Sequence, residues 1–160
     1  MENGIYLDNN ATTPCDPRVV EKMLPFFSET YGNPSNGYHI QGRKSNKAVE
    51  DAREQIARLI SAKQNEIIFT SGASESNNLA LFGITREKKY SPRKRIVTSK
   101  IEHKAILNPC KKLAEEGFDV ILLSVNSQGI IDTNQAKNEI NEQTLIVSIQ
   151  LANNEIGTIQ

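Results

Sequence analysis

The sequence predicts an α/β domain built on a mostly parallel sheet, and two patterns carry that expectation. Short apolar runs at Arg95–Ser99 ("RIVTS"), 120–125 and 145–151 read as strands, the last two of the kind buried on both faces. Between and before them lie helical stretches, the clearest with Val49, Ala52, Ile56, Leu59 and Ile60 on one face. Strands that alternate with helices favour a parallel sheet, because parallel neighbours need a crossover connection.

Element by element, residues 5–7 read as a short strand, followed by the turn-rich "DNNATTPCD". Asp16 then Pro17 reads as an N-cap and first helical residue, opening a helix through Val20, Leu24 and Phe27. Pro25 lies inside that pattern and predicts a kink or a break. Residues 31–42, "YGNPSNGYHIQG", read as a long loop of the functional or mobile kind. Residues 67–69 are a further short apolar run, after which a helix is expected from about Ser74, carrying Leu79, Ala80, Phe82 and Gly83. Asn108 and Pro109 resemble a second helix start, with Cys110, Leu113 and Ala114 inward and Gly117 as the stop. Residues 133–141 form a weaker helix candidate, and there is no internal repeat or low-complexity segment.

A chain of 160 residues accommodates one domain with its own core. Its 19 Lys and Arg balance 19 Asp and Glu, so nothing in the charge points to nucleic acid or a membrane surface. The start, "MENGIYLDNN", lacks a basic segment followed by an apolar run, and no stretch approaches a membrane span. A cytoplasmic location is the expectation. The two cysteines, Cys15 and Cys110, form no C-x-x-C pair, so no metal site is expected. Cys110 reads as buried packing and Cys15 as a solvated bystander.

The chemistry is expected beyond the carboxyl ends of the strands, where open parallel sheets bind ligands. "TSGAS", at residues 70–74, carries neither G-x-G-x-x-G nor G-x-x-x-x-G-K-[ST], so it is neither a dinucleotide fingerprint nor a P-loop. It still offers a strand-to-helix turn whose free N–H groups suit an anion. Ser99 to His103 close and follow the "RIVTS" strand, and Asn153-Asn154-Glu155 follows another. Taken singly, these are a helix start, a capping or surface histidine and a polar turn. Their convergence at one sheet edge implies a ligand with an anionic group, a flat ring and a ring oxygen, which fits pyridoxal phosphate (PLP) better than a nucleotide.

"YLDNNATTP", "YGNPS", "EIIFTSGASESNNLA", "TSKIEHKAIL" and "ANNEIGTIQ" occur in order from Tyr6 to the last residue, and as a set they resemble the NifS/IscS-like cysteine desulfurases. That resemblance implies a three-layer PLP-dependent transferase of fold type I, in the aminotransferase class V group, working as a homodimer. Such enzymes take sulfur from L-cysteine, release alanine and carry the sulfur as a persulfide, typically toward a sulfur-acceptor or iron–sulfur scaffold protein. It also implies that Ala73 and Ser74 hold the cofactor phosphate. By the same resemblance His103 stacks on the ring and assists proton transfer, and Asn154 bonds the phenolic oxygen.

The family's later motifs, an S-G-H-K segment with the Schiff-base lysine and a loop with the persulfide cysteine, do not occur in these residues. Without both, the reaction cannot run. The expectation is therefore an N-terminal segment at 1–15 and, at 16–160, the N-terminal part of a PLP-binding large domain, truncated before it is complete and inactive by itself. The competing readings are a selenocysteine lyase or other class V enzyme, and a non-catalytic dimerisation or scaffold protein.

Overall fold

The computed structural model describes residues 4–90 and 92–160, which divide into two compact units, Met1–Phe69 and Thr70–Gln160.

The first unit is helical. Helix α1, Pro17–Ser28, starts as expected: the Asp16 carboxylate accepts the Arg18 N–H at 2.8 Å and Pro17 takes the first turn. Hydrogen bonding to the Arg18 side chain, then to its backbone N–H, holds the Asp16 carboxyl below its usual value. The helix runs unbroken past Pro25 to Ser28, so of the expected kink or break, the break does not occur. Helix α2, Ile40–Leu59, starts inside the expected loop because His39 caps it, Nδ1 accepting the Gly42 N–H at 2.9 Å. A Cβ at buried Gly42 would collide with the Asn36 carbonyl, so the 31–39 loop lies tightly against this helix start.

Residues 5–7 and 67–69 are not strands. Apolar composition alone makes no strand; a strand needs a neighbour for its backbone groups. Neither segment has one among the described residues, and Ile5, Leu7 and Ile68 stay exposed.

The second unit carries the sheet. Strands β1 (Arg95–Ser99), β2 (Asp119–Leu123) and β3 (Thr144–Ser148) are all parallel, in the order β2-β1-β3. Only central β1 is buried along its length; β2 and β3 are edge strands, with Leu122 and Val147 partly in solvent. The expectation that both outer runs are fully buried is corrected by their edge positions.

Helix α3 (Ala73–Arg86) packs on α4 (Lys104–Glu115), with α4 against β2 and α3 against β3. Their shared core is Leu81, Ile96, Ile106, Cys110 and Leu113. Helix α4 begins five residues before the expected Asn108–Pro109 start, and Pro109 lies buried in its interior. The Asn-Pro pair imitates a helix start, but the stripe Ala105, Ile106, Pro109, Cys110, Leu113 has helical spacing and buries as one face. Gly117, at φ 92°, ends the helix as expected. Helix α5 (Thr133–Glu139) joins β2 to β3, capped by Asp132 through the N–H groups of Asn134 and Gln135.

Candidate functional site

Because all three strands are parallel, Ser99, Leu123 and Ser148 end at one edge of the sheet. The chain leaves β1 for β2 on one side and returns as β3 on the other, which makes the β1–β3 gap a switch point where ligands gather.

One side of the site is the start of α3. Gly72 is its N-cap at φ 157°, ψ −179°, backbone territory that only glycine occupies without strain. A Cβ there would meet open space, so the requirement is conformational rather than steric. Among the described residues no side chain caps this helix, which leaves its first-turn N–H groups for another acceptor. The carboxylate of Glu75 folds back instead onto Ser71, accepting its backbone N–H at 2.6 Å and its hydroxyl at 2.7 Å. Those two bonds, the backbone one first, hold the Glu75 carboxyl below its ordinary value.

Across from it stands His103, exposed and serving as the N-cap of α4: Nδ1 accepts the Ala105 N–H at 3.0 Å. Taken singly, His103 reads as a capping or surface histidine, and the structure shows it as both. The cap occupies Nδ1 and leaves the ring face and Nε2 open. His103 and Ser74 line one open hollow of about 420 Å³, together with Asn78, Phe82 and Lys104. His103 and Asn154 line a second of equal volume, with Glu102, Lys104 and Asn153. The structure thus brings Ser74 and Asn154 to either side of His103, each sharing a hollow with it; Ala73 opens α3 beside Ser74 but does not line either hollow.

Three further residues hold these loops: Asn153 and Glu102 lie in stretches that the sequence marked, and Gln150 does not. Buried Asn153 donates from Nδ2 to the Ile101 carbonyl at 3.0 Å, while its Oδ1 accepts the N–H groups of Glu155 and Ile156. This Asx turn displays Asn154 at its tip, and Asn153, two residues before Glu155, was its available signal. Gln150 donates from Nε2 to the same carbonyl at 2.8 Å. Glu102, 7% exposed, accepts the Ser99 hydroxyl and the Gln150 N–H on one oxygen. Glu102 lies inside the 99–103 stretch, but no periodic signal singles out a glutamate after a strand.

Cys110 is buried beneath, and its thiol pKa is pushed up by burial and then by the nearby Glu102 carboxylate. That environment suppresses the nucleophilic thiolate. Among the described residues no His, Cys, Asp and Glu cluster could hold a metal ion, and no helix is long and apolar enough to cross a membrane.

Comparison with known proteins agrees with this architecture. The family profile for aminotransferase class-V matches residues 5–160. A cysteine desulfurase IscS from Rickettsia massiliae is 50% identical over 157 residues, covering 98% of this chain and 38% of that protein. A probable mitochondrial cysteine desulfurase from Dictyostelium discoideum is 49% identical, over 98% of this chain and 34% of its own length. Among solved structures, a NifS-like protein superposes with a TM-score of 0.89 at 43% identity, over 95% of this chain and 41% of that one. SspA in complex with cysteine gives 0.88 at 42% identity, over 97% and 44%. The chain spans less than half the length of each of these relatives. It belongs to the aminotransferase class V family of PLP-dependent enzymes and has the fold of the NifS/IscS-like cysteine desulfurases.

Proposed function

We propose that this chain supplies the phosphate-side and ring-side half of the PLP site of a cysteine desulfurase, with residues 16–160 as the corresponding part of the large domain. The observation that carries the reading is the shared histidine: one hollow joins His103 to Ser74 at an uncapped helix start, and the adjoining one joins it to Asn154. An exposed imidazole between an anion-seeking helix end and a carboxamide is a donor set that suits a phosphorylated pyridine.

In this reading the N–H groups of Ala73 and Ser74 and the Ser74 hydroxyl bind the phosphate, with the positive end of α3 adding attraction. The His103 ring lies against the cofactor and holds its exchangeable proton at Nε2, since Nδ1 is committed to Ala105. Asn154 orients the ring through its phenolic oxygen. PLP, when bound, supplies the electron sink that substrate cleavage requires. The substrate is L-cysteine, the products are alanine and sulfur handed to an acceptor or iron–sulfur scaffold protein, and the working assembly is a homodimer. The lysine and cysteine that such a reaction demands are not among these motifs, so the chain by itself is catalytically silent.

The test mixes purified chain with PLP and L-cysteine and assays alanine and sulfide against a cofactor-only control. No turnover, with scattered and substoichiometric lysine labelling after borohydride reduction, is the expected result. Turnover with stoichiometric labelling at one lysine, Lys100 or Lys104 for instance, overturns the claim of silence. A longer protein containing this chain should release alanine from L-cysteine; release from selenocysteine alone would replace the substrate.

A further inference from the structure

We propose that Glu102 is a positioning residue whose buried carboxylate sets the spacing between His103 and Asn154 by tying the loop after β1 to the loop after β3. The inference rests on the reading of these loops as part of a PLP site.

Four hydrogen bonds converge here. Glu102 Oε1 accepts the Ser99 hydroxyl at 3.0 Å, which pins the carboxylate to the end of β1. The same oxygen accepts the Gln150 N–H at 2.8 Å, just beyond β3. The Ile101 carbonyl accepts from Gln150 Nε2 at 2.8 Å and from Asn153 Nδ2 at 3.0 Å. Three of the four therefore run from one loop to the other. His103 is the next residue after Glu102, and Asn154 the next after Asn153, so neither can shift without straining this tie.

Burying a carboxylate is costly. No cation among the described residues pairs with Glu102, so neutral donors alone hold it. A carboxylate is an acceptor in any rotamer, whereas an amide must be turned correctly to present its oxygen to both donors. A tie made only for stability would be indifferent to what His103 and Asn154 face.

The experiment compares Glu102→Met, Glu102→Gln, Ser99→Ala and the core control Leu123→Ala. Amide exchange of Gln150 is read in the chain without cofactor, and visible circular dichroism after PLP is added. In Glu102→Met, Gln150 exchange should rise about tenfold relative to the β1 amides, the loss of one charge-assisted hydrogen bond. The cofactor signal should change in the same variant. Glu102→Gln should restore both, and Leu123→Ala should lower the melting temperature without moving the cofactor signal. Should Glu102→Met not fold, Ser99→Ala, which removes one of the two donors, decides by the same criteria. Unchanged Gln150 exchange, or faster exchange with an unmoved cofactor signal, overturns the positioning role. A wild-type chain that gives no cofactor signal overturns instead the PLP reading on which it rests.

Discussion

The Nδ1 atom of His103 accepts the backbone N–H of Ala105 at 3.0 Å, so the residue expected at the cofactor also starts a helix. The two roles separate by substitution. Asparagine is among the best N-caps, so His103→Asn should keep stability within a few tenths of a kcal/mol, while His103→Ala should lose about 1 kcal/mol. Urea unfolding of the chain measures both. In a longer protein containing this chain, both variants should slow proton-transfer steps more than they weaken cofactor binding. Equal stability of the Asn and Ala variants would remove the cap from the account.

The start of α3 supports a second prediction. Ser74→Ala should weaken PLP retention by about 1 kcal/mol, the worth of a lost hydrogen bond. Gly72→Val should do more, because a branched residue at φ 157° and ψ −179° costs roughly 1–3 kcal/mol of strain. Equilibrium dialysis against PLP checks both, and unchanged affinity in the two variants contradicts the phosphate assignment.

Cysteine reactivity should divide sharply. Cys15 is exposed, while Cys110 is buried with its thiol pushed up in pKa. Under native conditions a thiol reagent should label Cys15 at once and reach Cys110 only on unfolding. Rapid labelling of both would contradict the packing of Cys110 against Leu81 and Leu113 in the core.

Glu75 gives a pH prediction with a definite sign. Its folded pKa lies below the ordinary value of 4.5, through the backbone and hydroxyl of Ser71. The group therefore binds fewer protons folded than unfolded between those two values. Its contribution to stability is present above the unfolded pKa and is lost as pH falls through the folded one. Glu75→Gln should flatten the acid limb of a stability–pH profile in that window and leave neutral pH little changed. An unaltered acid limb would show that the Ser71–Glu75 contact does not persist in solution.

What the sequence made legible was whatever is encoded locally. The Asp16–Pro17 start, the "RIVTS" strand and the Gly117 stop each depend on a few adjacent residues, and each stands where expected. Errors arose where distant partners decide. The 67–69 run has strand composition but no described neighbour to pair with, and 120–125 reads as interior although β2 is an edge. Asn108–Pro109 copied a start signal while a histidine, a less common cap, held the true one. Ser74, His103 and Asn154 could be singled out because each follows an apolar run, although only the runs before His103 and Asn154 are strands of the sheet. Gln150 could not be, and Glu102 fell only within the 99–103 stretch, because their importance lies in a bond spanning 48 residues of sequence.

The most direct measurement is a titration of the 15N-labelled chain with PLP, following backbone amides by NMR. The account predicts saturable shifts at Ala73 and Ser74 together with shifts at His103 and Asn154, all with one dissociation constant. Inorganic phosphate should reproduce only the first pair. Saturation that leaves all four amides unmoved, or that maps to residues of the Met1–Phe69 unit alone, would contradict it.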